Sequence, residues 1–162
     1  MVKIRRLKNS DLEQVIELSV NEDQLKYVGT IEALLEEASD TWHFHVITDG
    51  ETVVGFFNID IDYSHNYAFA KPNELGLRAF FIDSSHQGKG YGKSAIAALL
   101  THLQRSYDQH SSIALTVNQK NLGAYKCYLN GGFEDTGELF YGGAAGPQHI
   151  MRLNFGSVPT SA

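Results

Sequence analysis

The sequence predicts an α/β chain of seven strands and four helices, and three observations carry the prediction. Strand-like and helix-like stretches alternate along the chain, with apolar residues at period 2 in the former and at i, i+3, i+4 in the latter. Asp49-Gly50 and the run Gly142-Gly143-Ala144-Ala145-Gly146-Pro147 each separate two strand-like stretches and predict hairpins. Residues 80–94, Phe80-Phe81-Ile82-Asp83-Ser84-Ser85-His86-Gln87-Gly88-Lys89-Gly90-Tyr91-Gly92-Lys93-Ser94, read as a strand, a short turn and a glycine-rich helix start. With 162 residues, 43% of them hydrophobic, the chain suits one domain with one core, at 1–155, followed by a loose tail at 156–162.

Taken in order, residues 2–7 predict a strand. Ser10-Asp11-Leu12-Glu13 carries the Ser-x-x-Glu capping-box pattern of a helix running to about residue 20, with Leu12, Val15, Ile16 and Ser19 on its inner face. Residues 21–29 are polar and irregular. Thr30 then caps a second helix to about residue 39, with Ile31, Leu34, Leu35 and Ala38 at helical spacing. Residues 42–47 and 52–61 flank Asp49-Gly50 as paired strands. Residues 63–73 predict a loop or a frayed strand end, and residues 74–82 the strand that feeds the glycine-rich turn. A long helix covers 90–107, with Ile96, Leu99, Leu100 and Leu103 as its buried stripe. A strand at 113–117, a helix capped by Asn121 and ending near residue 130, and a hairpin of strands 133–141 and 148–154 complete the chain.

The glycine-rich turn has the chemistry of a pyrophosphate site. Backbone N–H groups at a helix start lack intrahelical partners and carry the positive end of the dipole, and glycine lets an anion approach them. Three phosphate motifs compete for residues 87–94, and spacing separates them. A P-loop needs Gly-x4-Gly-Lys-Ser/Thr, and although Gly92-Lys93-Ser94 supplies the end, Gln87 stands where the first glycine belongs. A dinucleotide fingerprint is matched by Gly90, Gly92 and Ala95 but needs an acid ending the next strand, where this chain has Asn118. The third pattern, Gln/Arg-x-x-Gly-x-Gly/Ala, is met by Gln87, Gly90 and Gly92. A second block follows at residues 115–133, a strand and then Asn-x-x-Ala-x-x-x-Tyr-x-x-x-Gly-Phe, met by Asn121, Ala124, Tyr128, Gly132 and Phe133.

Together the two blocks resemble the GNAT superfamily of N-acyltransferases, and the element order resembles that fold over nearly the whole chain. The resemblance implies a mixed, mostly antiparallel twisted sheet of about seven strands flanked by four helices, splayed between strands 4 and 5 to admit a pantetheine arm. It implies acetyl-CoA as co-substrate, held by Gln87, Gly88, Lys89, Gly90, Tyr91, Gly92 and Lys93, by backbone amides near Phe81 and Ile82, and by Asn121 and Ala124. Tyr128 falls where the family places a tyrosine that protonates the departing thiolate, and a phenol of pKa about 10 suits that task. Asn121 also reads as a helix cap, and Cys127 as a structural residue.

The acceptor side is less regular. Strict alternation puts Glu74, Gly76, Arg78, Phe80 and Ile82 on one strand face. Gly76 and Arg78 stand where the family commonly keeps an acid, so Glu74 is the candidate base, working through water. Asp23-Gln24-Leu25-Lys26-Tyr27-Val28 after the first helix and Phe80-Phe81-Ile82-Asp83 before the glycine-rich turn resemble bacterial polyamine-type acetyltransferases; the acceptor side is expected at Glu22, Gln24, Tyr27 and Arg78, where Arg78 departs from the acid those relatives tend to carry. Glu22, Asp23, Asp60 and Asp62 would attract a polycation, whereas Arg78 would repel a protonated amine or hold a carboxylate. An amino-acid or peptide amine therefore stays open, as do a catalytically silent acyl-CoA-binding domain and, on Gly92-Lys93-Ser94, a nucleotide-binding module.

Charge and composition bound the rest. The net charge of -6 argues against nucleic acid, and residues 1–62 hold thirteen Asp/Glu against five Lys/Arg while residues 63–162 hold six against eight. That asymmetry suits a polyanionic cofactor and a cationic acceptor. One cysteine excludes an intrachain disulfide, and the charged start Met1-Val2-Lys3-Ile4-Arg5-Arg6 with no membrane-length apolar run predicts a cytoplasmic protein with no membrane partner. His43 and His45 share a strand face without a third ligand at matching spacing, so no metal is expected. The acceptor is expected to be a small-molecule amine, and the resemblance implies a homodimer.

Overall fold

A single seven-stranded sheet runs in the order β1-β2-β3-β4-β5-β7-β6. Its strands are β1 Val2–Arg6, β2 Trp42–Asp49, β3 Thr52–Asp60, β4 Leu75–Ile82, β5 Ser112–Asn118, β6 Glu134–Phe140 and β7 Gln148–Asn154. The computed structural model describes residues 2–18, 40–143 and 146–156. Every neighbouring pair is antiparallel except β4 and β5, which run parallel. Helices α1 Leu12–Glu17, α2 Tyr63–Asn66, α3 Tyr91–Ser106 and α4 Leu122–Asn130 complete the described elements. This is the expected mixed, mostly antiparallel sheet; the helix predicted at 30–39 and the tail from residue 157 lie outside the described residues.

The helical stripe of α3 became a core. Ala95, Ile96, Leu99 and Leu103 are fully buried against Leu75, Leu77, Ile113 and Leu115 of β4 and β5, each large side chain contributing about 1.5–3 kcal/mol by leaving water. On the opposite face Val15 of α1 packs with Val46, Val53, Phe56 and Phe81. Covered on both sides, β3 is buried from its second residue onward. Among the described residues no helix is long and apolar enough to cross a membrane.

Three local expectations are corrected. The start of α1 is held by Asp11 rather than Ser10: Asp11 accepts from the Lys8 backbone N–H at 2.7 Å and from the Arg5 guanidinium at 2.7 and 2.8 Å. That helix stops at Glu17, where Leu18 turns extended, and Ile16 stays exposed. In the stretch predicted as a loop, Tyr63–Asn66 makes one helical turn, and the Tyr63 ring stacks on Tyr67 and stands edge-on to Phe69.

A further correction fixes the site. The β3–β4 register slips between Phe56/Phe81 and Asn58/Arg78, leaving one extra residue on β4, and Ala79 takes a left-handed φ of 56°. A bulge of this kind inverts the alternation beyond it. Leu75 and Leu77 before the bulge therefore share a face with Phe80 and Ile82 after it, against α3. Arg78 points to the opposite face with Ala79 and Phe81, so it does not share a face with Phe80 and Ile82. On the other edge, β4 pairs with β5 only at Leu75/Ile113 and Gly76/Ala114. Beyond that point the two strands part.

Candidate active site

At the end of β4 the chain makes a 3-10 turn over Ser84–His86, passes Gln87 to Gly90 and enters α3. Gly88 and Gly90 have φ of 81° and 80°, which a side chain strongly disfavours, and Gly90 is the N-cap of α3. A Cβ at either position would meet nothing within 4 Å. The glycines thus serve the backbone shape and the open space beside it. The first intrahelical bond runs from the Ser94 N–H to Gly90 O at 3.1 Å, so the amides of Tyr91, Gly92 and Lys93 have no helical acceptor. The turn is braced from three sides. Gln87 Nε2 donates to Ile82 O at 2.9 Å, the Tyr91 hydroxyl donates to Asp49 Oδ2 at 2.6 Å, and Asp83 Oδ2 holds His86 Nδ1 at 3.1 Å.

A cleft of about 390 Å³ lies between this turn, the end of β4 and α4. Phe81, Ile82, Gln87, Gly88, Gly90, Tyr91, Gly92, Lys93, Ala124 and Tyr128, all named from sequence, line it. Lys89 and Asn121 do not. Lys89 is exposed on the turn, and Asn121 is the N-cap of α4, its side chain accepting from the Ala124 N–H at 3.4 Å. Phe80, His86, Gly123 and Cys127 line the cleft without having been anticipated. Helical spacing from Ala124 reaches Cys127, and His86 adjoins Gln87, so both were within reach of the pattern. A Cβ on Gly92 would stand 3.1 Å from Cys127 Sγ, which is why α3 and α4 meet so closely there. Burial raises the Cys127 thiol above its ordinary value and keeps it protonated. Directly after β4, the Asp83 N–H donates to Val54 O at 2.7 Å on the β3 side. By alternation the Phe81 N–H also faces β3, and the Ile82 N–H faces the cleft.

Tyr128 is the hinge of the arrangement. It is buried, its ring set edge-on to Phe80 and Phe133 at 5.9 and 5.6 Å, and burial, with Cys127 beside it, raises its pKa. No hydrogen bond engages its hydroxyl among the described residues. Tyr128 also lines a second recess of about 170 Å³, together with Tyr63, Tyr67, Arg78, Thr116 and Gln148. There the Arg78 guanidinium lies 5.2, 5.3 and 5.1 Å from the ring centres of Trp42, Tyr63 and Tyr67, and its Nε donates to Asp60 Oδ2 at 2.9 Å. Burial opposes its charge, but Tyr67 and Asp60 outweigh burial and its pKa is raised. Directly across the β3–β4 register stands Asn58, fully buried with neither amide atom hydrogen-bonded.

Glu74, the base expected from sequence, is engaged by three neighbours. Oε2 accepts from Arg152 Nε at 2.6 Å and from the Ser112 hydroxyl at 2.6 Å, while Oε1 accepts from Arg152 Nη2 at 2.9 Å and from the Lys71 N–H at 3.0 Å. Burial alone would raise its pKa, yet these partners lower it. A carboxylate so occupied lines neither cavity. Asp60 and Asp62 do not attract a polycation freely either. Asp60 is spent on Arg78 and the Asp62 N–H, and Asp62 binds His65. Glu22, Gln24 and Tyr27 lie outside the described residues. His45 is fully buried, bonded to His43 O and, through Nε2 at 2.9 Å, to His102. Among the described residues no three His, Cys, Asp or Glu side chains form a group that would hold a metal ion.

Known proteins share this layout. The model of the acetyltransferase (GNAT) family matches residues 4–133. A Bacillus subtilis protein named spermine/spermidine N(1)-acetyltransferase is 29% identical over 147 residues, 88% of this chain and 93% of that protein. The structure of the aminoglycoside acetyltransferase AAC(6')-Ib in complex with coenzyme A superposes with a TM-score of 0.75 at 18% identity, covering 95% of each chain. That of the Vibrio cholerae spermidine N-acetyltransferase with CoA and spermine gives 0.69 at 21% identity, covering 94% of this chain and 95% of the other.

Proposed function

We propose that this chain, which belongs to the GNAT acetyltransferase family and is an acetyl-CoA-dependent N-acetyltransferase, moves the acetyl group onto a primary amine of a small molecule by direct attack in a ternary complex. The observation that carries the reading is Tyr128, which lines both the glycine-rich cleft and the Arg78 recess. One side chain thereby touches a donor compartment and an acceptor compartment, as direct transfer requires.

The diphosphate of the co-substrate rests on the amides of residues 88–93, with Lys93 and His86 beside it. The Ile82 N–H polarises the thioester carbonyl. The amine nitrogen forms the new C–N bond, the C–S bond breaks, and the Tyr128 hydroxyl gives its proton to the sulfur. The proton lost by the amine passes through water and restores the Tyr128 hydroxyl, since Glu74 is committed to Arg152. The curated relatives' names support a polyamine among the acceptors, and Arg78 supports an amine that bears a carboxylate. A homodimer working in the cytoplasm belongs to the same reading. Incubation with acetyl-CoA and a panel of amines tests it: acceptor-dependent release of free thiol is expected, and no release with any amine contradicts it.

A further inference from the structure

Arg78 is held as a finished recognition group. Aromatic rings flank its guanidinium, with centroids between 5.1 and 5.3 Å from Cζ, and Asp60 engages Nε. Asp60 itself is fully buried, whereas the Arg78 side chain is 26% exposed. A molecule entering the recess therefore meets the guanidinium and not the carboxylate that balances it. Among the described residues no carboxylate engages the terminal nitrogens, and those donors form the planar fork that matches a two-oxygen anion. Thr116 and Gln148 on the same recess add a hydroxyl and an amide. Asn58, across the register from Arg78, is fully buried with its amide unpaired and does not line the recess.

We infer that the acceptor carries a carboxylate close to its primary amine, that Arg78 binds this carboxylate, and that the amine is thereby set against Tyr128; this rests on the proposed acetyl transfer. A simple diamine, which offers the recess only cations, would be disfavoured by the same guanidinium. The reacting atoms are unaffected by this choice. Arg78 is a specificity-determining residue that positions the acceptor.

The test compares amino acids with the amines left by removal of the carboxylate: lysine with cadaverine, ornithine with putrescine, β-alanine with ethylamine. Binding is measured calorimetrically to protein saturated with coenzyme A, so the readout does not depend on turnover. The expected result is at least tenfold tighter binding of the carboxylate-bearing member, lost on methyl esterification and lost in Arg78→Gln. Because Arg78→Gln leaves Asp60 buried without its cation, the double variant Arg78→Gln with Asp60→Asn is the folding control, and the wild-type comparison stands on its own. Equal binding within the pairs, tighter binding of the diamines, or no binding of any amino acid overturns the inference. If the preference holds while no thiol is released, acetyl transfer to these amines fails and the carboxylate site remains.

Discussion

The two compartments that meet at Tyr128 are made of different material. The cleft proposed for the donor is built from backbone: glycines at positive φ, helix-start amides and a strand edge uncovered where β4 leaves β5. The recess proposed for the acceptor is built from side chains drawn from β2, β3, β4, β5, β7 and the turn at Tyr63–Asn66. Backbone sites depend on a few residues close in sequence. Side-chain sites depend on pairs far apart, so they can change acceptor without disturbing the donor.

Changes that cut each material separately should separate stability, chemistry and donor binding. The largest effect is expected from Glu74→Ala, which strands Arg152 in a buried pair and costs about 3–5 kcal/mol. Thermal denaturation should show it, with the acetyl-CoA KM of the folded fraction unchanged. If Glu74 were the base, kcat would collapse without loss of stability. Next is Tyr128→Phe, which should lower kcat about 100-fold or more and leave the acetyl-CoA KM alone, as removal of a general acid does. An unchanged kcat would reduce Tyr128 to a packing residue.

Weaker changes sharpen the same contrast. Gly90→Val forces a β-branched residue to φ of 80°, at about 1–3 kcal/mol, and should raise the coenzyme A Kd roughly tenfold or more. Calorimetry on the variant reads it. Stability should also fall on acidification through His45, whose pKa is pushed from 6.5 down to about 3 by burial. Below pH 6.5 the unfolded chain takes a proton that the folded imidazole refuses, so stability is lost as pH falls from about 6.5 towards 3. The loss at pH 5 is about 2 kcal/mol, and denaturant titrations of His45→Phe should lack that slope. The smallest effect, about 1 kcal/mol in thermal denaturation, is expected for Asn121→Ala, which removes the α4 cap.

How far each compartment was legible in sequence follows from its material. Gln87, Gly90, Gly92 and Tyr128 announced the cleft because a pyrophosphate turn restricts residue types at short spacing. Arg78 was found but put on the wrong face, since an Ala at φ of 56° gives no sign in the sequence of the bulge it makes. The pairing of Glu74 was not legible because its partner Arg152 stands 78 residues away, and no local pattern links them. The stripe Ile96, Leu99 and Leu103 placed α3 correctly, whereas Ser10 misplaced the start of α1 because the cap is Asp11, fixed by Arg5 from the preceding strand.

The most direct test of the donor cleft is an amide-resolved titration of the wild-type protein with coenzyme A. The backbone N–H resonances of Gly88, Gly90, Tyr91, Gly92 and Lys93 should shift in a saturable way, together with that of Ile82. Saturable binding that leaves these amides unmoved, or shifts produced more tightly by ATP than by coenzyme A, would contradict the account.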